Sequence, residues 1–572
     1  MSTEYVHVAD LDDLRAEGRR LVNENGQAIA LFYEDGAVRA IDNRCPHMGF
    51  PLTQGTVDDG VLTCHWHHAR FELACGDTFD PWADDVPTYP VEVRGNEVWV
   101  KPVRERDDPP AVHWARRLDT GLEENLRLVL AKSAVGLDDA NVAYRDPYVS
   151  ALEFGTRYRE SGWGPGLTIH TALANIRDSL DRDGRRRALY QGAVEVAGDC
   201  AGEPPRFAQP AFEPADRSPE RLTEWFRECV ELRDADGAER VLHTAIRSVS
   251  PTQVCGMLYA AATDHRYLDT GHALDFVTKA VESLDHAGWD AAEDVLPTVV
   301  SGLANAERAE EDQEWRQPVD LAAVLDDAFE DLPEENGSGE WREPDGFVET
   351  LLGDDPDAVV DALSDAVDAG ASTTQLAGVV RFAAARRVAQ FGTANEFNDW
   401  NTVLHTFTYA NAVYQGTLVT DTPLLYRGVF DAAASVYLDR FLNTPPARIP
   451  DGDADADPED ALSRLLDAFD VEGGADAASR HAADFLAGGG DPDALREALG
   501  GALVREDAGF HTFQAVEAAF QGALDSDGDR KTVFLVAAAR YLAAHTPTRR
   551  EREQTFRIAE RLQAGESLHD TE

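Results

Sequence analysis

Cys45 and His47 stand two positions apart, Cys64 and His67 three apart, and sixteen residues separate the two pairs. Each short segment therefore offers one thiolate and one imidazole. Two kinds of centre take such a set. One is a 2Fe–2S cluster in which two His replace two Cys on one iron, which raises the potential relative to all-Cys ligation. The other is a structural zinc ion with Cys2His2 ligands. Unliganded Cys and His on both loops would need four coincidences.

The surrounding residues describe what must hold these loops. Ala28–Tyr33 and Ala37–Asp42 are apolar stretches around Glu34-Asp35-Gly36, a hairpin signal. Gly55–Thr63 carries a strand pair around Asp59-Gly60, and Tyr89–Arg94 with Glu97–Val100 flanks Gly95-Asn96 as another hairpin. With Ala69-Arg70-Phe71-Glu72-Leu73 after the last ligand, the pattern resembles the Rieske 2Fe–2S family over residues 1–104. That resemblance implies a small antiparallel β domain presenting two loops at one tip. It also implies Cys45 and Cys64 on one iron, His47 and His67 on the other, and electrons passing at the exposed His edge.

Departures from the family pattern narrow the kind. Respiratory Rieske proteins carry an extra Cys on each loop, paired as a disulfide; here those places hold Phe50 and Trp66. The Gly-Ser that follows the last ligand there is His68-Ala69 here. Fewer donors to the sulfurs and an acidic chain favour the oxidised cluster, so the expected potential is low, about −150 mV. That is the soluble ferredoxin or oxygenase-partner kind. His65 and His68, where the family has Pro and Gly, are expected to be flanking surface residues, and His68 puts the loop packing in question.

At 572 residues the chain must build more than one further core. It carries 105 acidic and 52 basic residues for a net charge of −53, and four of the basic residues are lysine: Lys101, Lys132, Lys279 and Lys531. Such a surface suits molar salt, where repulsion is screened within a few ångströms. We expect a cytoplasmic protein of a halophile, with neither nucleic acid nor membrane as partner. Cys75, Cys200, Cys229 and Cys255 lack metal or disulfide spacing and read as buried or reduced thiols.

A charged, proline-ended linker is expected at 105–112, and from 113 to 572 alanine-rich helical periodicity replaces the strand signals. The fold class is therefore a small all-β domain followed by a large all-α, repeat-like array of roughly twenty helices. Ser250-Pro251-Thr252-Gln253 and Ser372-Thr373-Thr374-Gln375 are capping boxes. Acidic Gly/Pro-rich stretches near 330–346 and 446–460 are expected to be exposed, flexible loops and possible sub-boundaries.

An apolar-His-Thr step recurs at His170, His243, His405 and His511, and Ala245–Ala262 echoes Ala366–Ala384. Repeated helix pairs would turn such positions to one inner surface; the competing reading is a His-Thr pair bonded locally on each helix. A second set has metal-ligand chemistry: Asp264, His265, His272, Asp275, Glu282 and His286. The candidate pocket is thus His170, His243, His272, Asp275, Glu396, His405 and His511, with room for a second metal or a small-molecule substrate. The combined expectation is an electron-transferring oxidoreductase, or its ferredoxin component, served by a reductase or ferredoxin partner. The alternative is a redox sensor or scaffold whose helices bind a protein.

Overall fold

The computed structural model describes residues 4–104, 108–213, 217–566 and 568, apart from the side chain of residue 397. The chain forms two compact units: residues up to Pro147 together with the stretch from Glu551 onward, and Tyr148–Arg550. The linker expected at 105–112 lies partly outside the described residues, and the first unit does not end there.

Nine strands build the β part of the first unit: β1 (Val6–Asp10), β2 (Arg19–Glu24), β3 (Gln27–Glu34), β4 (Ala37–Asp42), β5 (Thr56–Asp58), β6 (Val61–Thr63), β7 (Arg70–Glu72), β8 (Val91–Arg94) and β9 (Glu97–Val100). They pair antiparallel in three sheets, ordered β1-β9-β8, β2-β3-β4 and β5-β6-β7. Two-residue turns at Asp35-Gly36 (φ 50° and 82°) and Asp59-Gly60 (φ 49° and 78°) close two hairpins. Both central residues are left-handed, the geometry that matches strand twist. Strand β3 is buried on both faces. Ala30 and Phe32 enter the core that holds Cys45 and Cys64, while Ile29 and Leu31 enter a second core with Val98 and Val100. Alternation along a strand sends neighbours to opposite faces, so the unbroken apolar run of β3 serves two cores.

Two helices, Pro110–Glu123 and Arg127–Asp139, pack together beyond the strands, and the Glu551–Gln563 helix packs on the second of them. The contact is close: a Cβ at residue 136 would lie 2.4 Å from the Trp114 ring, which only glycine avoids. Asp84, 4% exposed, ties these helices to the β part. It accepts from Arg117 Nε at 2.7 Å and Lys132 Nζ at 3.2 Å, and Lys132 Nζ also donates to the Pro46 carbonyl.

The second unit is helical, and 23 α-helices follow β9 among the described residues of the chain. Both capping boxes form, at Ser250/Gln253 and Ser372/Gln375, with Pro251 in the first turn. The acidic stretches are connections between helices, not unit boundaries. The first is tied down rather than free. Asn336 Nδ2 donates to Thr373 Oγ1 (2.9 Å), the Gly337 amide to the Tyr426 hydroxyl (3.0 Å), and Gln375 Nε2 to the carbonyls of Gly339 and Trp341 (both 3.1 Å). In the core, Lys279 Nζ donates to Glu282 at 2.8 Å and to Glu517 at 2.7 Å, and Asn175 bonds both carboxylates. Among the described residues no helix is long and apolar enough to cross a membrane.

Burial opposes ionisation of Asp84, but Lys132 and Arg117 hold its carboxyl down to about 2. A folded value below the unfolded one gives stability that is present above about pH 4 and lost as pH falls toward 2, about 2–3 kcal/mol in all. Asp84→Asn should lower stability at pH 7 by about 3–5 kcal/mol, because two buried cations lose their partner. It should also flatten the acid limb between pH 4 and 2. Denaturant titrations of both proteins across that range check this, and an unchanged acid limb would contradict it.

Candidate functional site

The two ligand loops are built alike. Cys45 follows β4 and Cys64 follows β6. In the first loop the Cys45 amide donates to the Phe50 carbonyl (2.8 Å) and the Gly49 amide to the Cys45 carbonyl (2.7 Å). In the second the Cys64 amide donates to the Ala69 carbonyl (2.9 Å) and the His68 amide to the Cys64 carbonyl (3.0 Å). The fifth residue of each loop must take a left-handed backbone to close it. Gly49 does so at φ 81°, and His68 does so at φ 65° despite its side chain. Loop packing is therefore preserved with His in the glycine place. His68 and His65 are both exposed, and His65 Nε2 bonds Thr56 Oγ1 at 2.5 Å.

Both cysteines are buried and unbridged. Cys45 donates to the Cys64 sulfur, which raises the Cys45 thiol and lowers Cys64 to about 6. Backbone amides of His47 and Met48 point at the Cys45 sulfur, and those of Trp66 and His67 at the Cys64 sulfur. The His47 and His67 ring centroids lie 4.8 Å apart, with Trp82 against His47 (4.7 Å) and Trp66 against His67 (4.1 Å). His67 is exposed and His47 half-buried. His47 Nδ1 is buried without a hydrogen-bond partner. Burial first, then the charge of Lys132, push its imidazole down to about 4. Two sulfurs surrounded by amide donors and a neutral imidazole with an unused buried nitrogen fit an iron–sulfur cluster of mixed ligation.

Comparison with known proteins agrees in extent. The family model for the Rieske [2Fe-2S] domain matches residues 4–90. The ferredoxin component of the naphthalene 1,2-dioxygenase/salicylate 5-hydroxylase systems of Ralstonia sp. is 30% identical over 102 residues, 18% of this chain and 98% of that protein. Through this region the chain belongs to the Rieske family. The vanillate O-demethylase oxygenase subunit of a Pseudomonas species is 31% identical over 24% of this chain, which spans 42% of that protein's length. Among solved structures, the ferredoxin of carbazole 1,9a-dioxygenase from Nocardioides aromaticivorans IC177 is 30% identical, with a TM-score of 0.17 over 18% of this chain and all of that one. The Rieske domain binds a 2Fe–2S cluster, and its relatives are ferredoxin and oxygenase components of electron transfer.

The sequence reading missed Lys132, Asp84, Arg117 and Trp82. The available signal was rarity: a chain with four lysines places Lys132, 2% exposed, against the carbonyl between Cys45 and His47.

The helical histidines divide. His272, His405 and His511 converge, their ligand nitrogens all within 4.8 Å of one another. His170 and His243 do not join them. His170 is buried, stacked on Tyr148 at 4.5 Å with Nε2 donating to the Tyr148 carbonyl at 3.1 Å. His243 lies 3.5 Å from the Glu239 carboxylate on its own helix. Neither forms the expected His-Thr pair: the Thr171 and Thr244 hydroxyls donate to the Leu167 and Arg240 carbonyls instead. Glu396 is exposed at the start of the Phe397–Val419 helix, where its amide donates to Asp399 (3.0 Å); it marks a helix start rather than a pocket wall. Asp275 is 2% exposed and bonded to Gln514, and burial pushes its carboxyl up to about 7. Asp264 pairs with Arg227 and Arg427, His265 bridges Glu231 (2.5 Å) and Glu310 (2.6 Å), and His286 bonds Asn175 (2.8 Å). The second expected ligand set is therefore spread over separate networks, and His272 alone of it reaches the three-histidine group. Cys75 is exposed, whereas Cys200 and Cys255 are buried.

A β-carbon in left-handed backbone costs about 1 kcal/mol that glycine avoids. His68→Gly should stabilise the first unit by about 0.5–1 kcal/mol, and His68→Ala should not. Thermal or denaturant midpoints of the three proteins, taken with the cluster's visible absorbance, decide this.

Proposed function

We propose that Cys45 and Cys64 hold one iron of the cluster and His47 and His67 the other, and that the chain is an electron-transferring oxidoreductase. The observation that carries the reading is the pair of matched loops. Each buries a Cys sulfur among amide donors, and the first also carries the buried, unpartnered Nδ1 of His47. The cluster supplies one-electron transfer. The chain's own residues set where that happens and how readily. The exposed His67 ring, flanked by Trp66, is the edge open to a partner. The partner is a reductase or ferredoxin that exchanges electrons there, and the helical unit holds the acceptor or small-molecule substrate.

Anaerobically purified protein should contain two irons and two labile sulfides per cluster and show, on reduction, the low-average-g spin signal of mixed His/Cys ligation. Its potential should be flat near neutrality and fall at alkaline pH as the imidazoles lose protons. One zinc and no labile sulfide would end the assignment.

Lys132 bears on the potential separately. An acidic chain favours the oxidised cluster, but a buried cation beside the loop opposes that by favouring the added electron. Replacing it with the uncharged Lys132→Met should lower the midpoint potential by on the order of tens of millivolts. Lys132→Arg should keep most of the effect. Redox titration monitored by the spin signal measures both, and equal potentials in all three proteins would remove Lys132 from this role.

A further inference from the structure

Three chain segments far apart in sequence bring their imidazoles to one point in the helical unit. His272 opens the His272–Ala287 helix, His511 lies in the first turn of the Phe510–Leu524 helix, and His405 lies within the Phe397–Val419 helix. The His272 and His405 ring centroids are 4.6 Å apart, those of His405 and His511 4.7 Å, and His405 Nε2 lies 2.9 Å from His511 Nε2. Each neutral imidazole has one acceptor nitrogen beside its N–H, so three convergent rings can present three lone pairs to one point. Phe276 and Phe510 wall His272 on its apolar side, at 5.7 and 5.4 Å.

The backbone that delivers His272 is unusual. Tyr267, Asp269, Thr270 and Gly271 all have positive φ (42°, 50°, 53° and 94°), and the first three carry side chains. Strained runs of this kind persist where the surroundings over-determine them, and they gather at functional sites. Here the Asp269 amide donates to the Glu307 carbonyl (2.9 Å), and Asp269 Oδ1 accepts from the Glu307 amide (2.7 Å). A cavity of about 200 Å³ lined by Tyr267, Thr406, His405 and Asp439 adjoins the group. Asp439 is 4% exposed, and its Oδ2 has no hydrogen-bond partner. A neighbouring cavity of about 450 Å³ shares Thr402 and Asp439 with it.

We propose that His272, His405 and His511 bind one divalent first-row transition-metal ion, with its remaining coordination positions turned to the cavity beside His405 and Asp439. Imidazole suits zinc, iron, copper and nickel, and three neutral nitrogens with open positions are a ligand set of reactive rather than purely structural metal sites. The assignment does not depend on the cluster ligands, since none of the three residues lies in the Rieske domain.

The test uses the full chain with its cluster, treated with a chelator and titrated with Co²⁺, then Zn²⁺ and Fe²⁺ in competition. Co²⁺ should bind one equivalent per chain with the visible bands of nitrogen coordination, and Zn²⁺ should displace it. His272→Ala and His511→Ala should each weaken binding about 100-fold or more, while His243→Gln should leave it unchanged. Cluster absorbance and far-ultraviolet circular dichroism report folding of each variant, and a metal-dependent rise of the wild-type melting temperature gives a readout that needs no variant. Failure of the wild type to take up one equivalent, or equal uptake by wild type and both alanine variants, would overturn the site. Loss of the cluster signal with Co²⁺ uptake intact would instead count against the cluster ligands and leave this site standing.

Discussion

Asp84 is the constraint on which the first unit turns. A carboxylate removed from water is tolerable only if cations and donors replace its hydration. Arg117 and Lys132 do so from two successive helices, and Arg117 also donates to the carbonyls of Pro81 (2.6 Å) and Ala83 (3.1 Å). The same Lys132 ammonium then reaches the Pro46 carbonyl. One buried charge therefore fixes the approach to Asp84, the seating of both helices and the back of the loop between Cys45 and His47. This is why the compact unit continues past the last strand, and why the helices there belong with the β part.

What was legible in the sequence was local. The Asp-Gly turns, the two Ser-x-x-Gln caps and the Cys-x-His and Cys-x-x-His spacings act through neighbours a few residues away, so their geometry follows from residue type. The Asp84–Lys132 pair spans 48 residues, and the Glu551–Gln563 helix packs on a helix more than 400 positions earlier. No local pattern announces either. Strand β1 is similar: it has five residues, and its partner β9 lies some ninety positions on. Strand β2 alternates exposed and half-buried residues along its length and offers little apolar signal.

The two interior lysines share a logic that composition hides. In a chain of net charge −53, lysine has nearly gone from the surface, yet Lys132 and Lys279 are each 2% exposed. An ammonium is a compact point charge with three donors. Lys279 uses them on Glu282 and both oxygens of Glu517, and Lys132 on Asp84 and a carbonyl. A guanidinium, planar and larger, suits the forked pair that Arg227 makes with Asp264 and the spread of carbonyl and carboxylate acceptors around Arg117. Lysine is retained where its shape is required, so its scarcity elsewhere is what makes these two positions informative.

The recurring apolar-His-Thr step carried less information than its regularity suggested, and the reason is geometric. In His170 and His243 the imidazole lies along a helix already packed with a partner for it, the Tyr148 carbonyl in one case and Glu239 in the other. His272 and His511 instead sit in first turns, where the chain enters a helix and the direction of the side chain is set by what precedes it. For His272 that is a run of left-handed residues costing on the order of 1–3 kcal/mol each. It is held by the Asp269–Glu307 bonds and by Tyr267 packed on Tyr409 at 5.0 Å and Trp315 at 6.1 Å. Helical periodicity assigns a residue to a face but says nothing of an entry turn whose conformation its own residues disfavour. The convergence joins two imidazoles from entry turns, His272 and His511, with His405 from within a long helix, and no single local pattern covers both kinds of position.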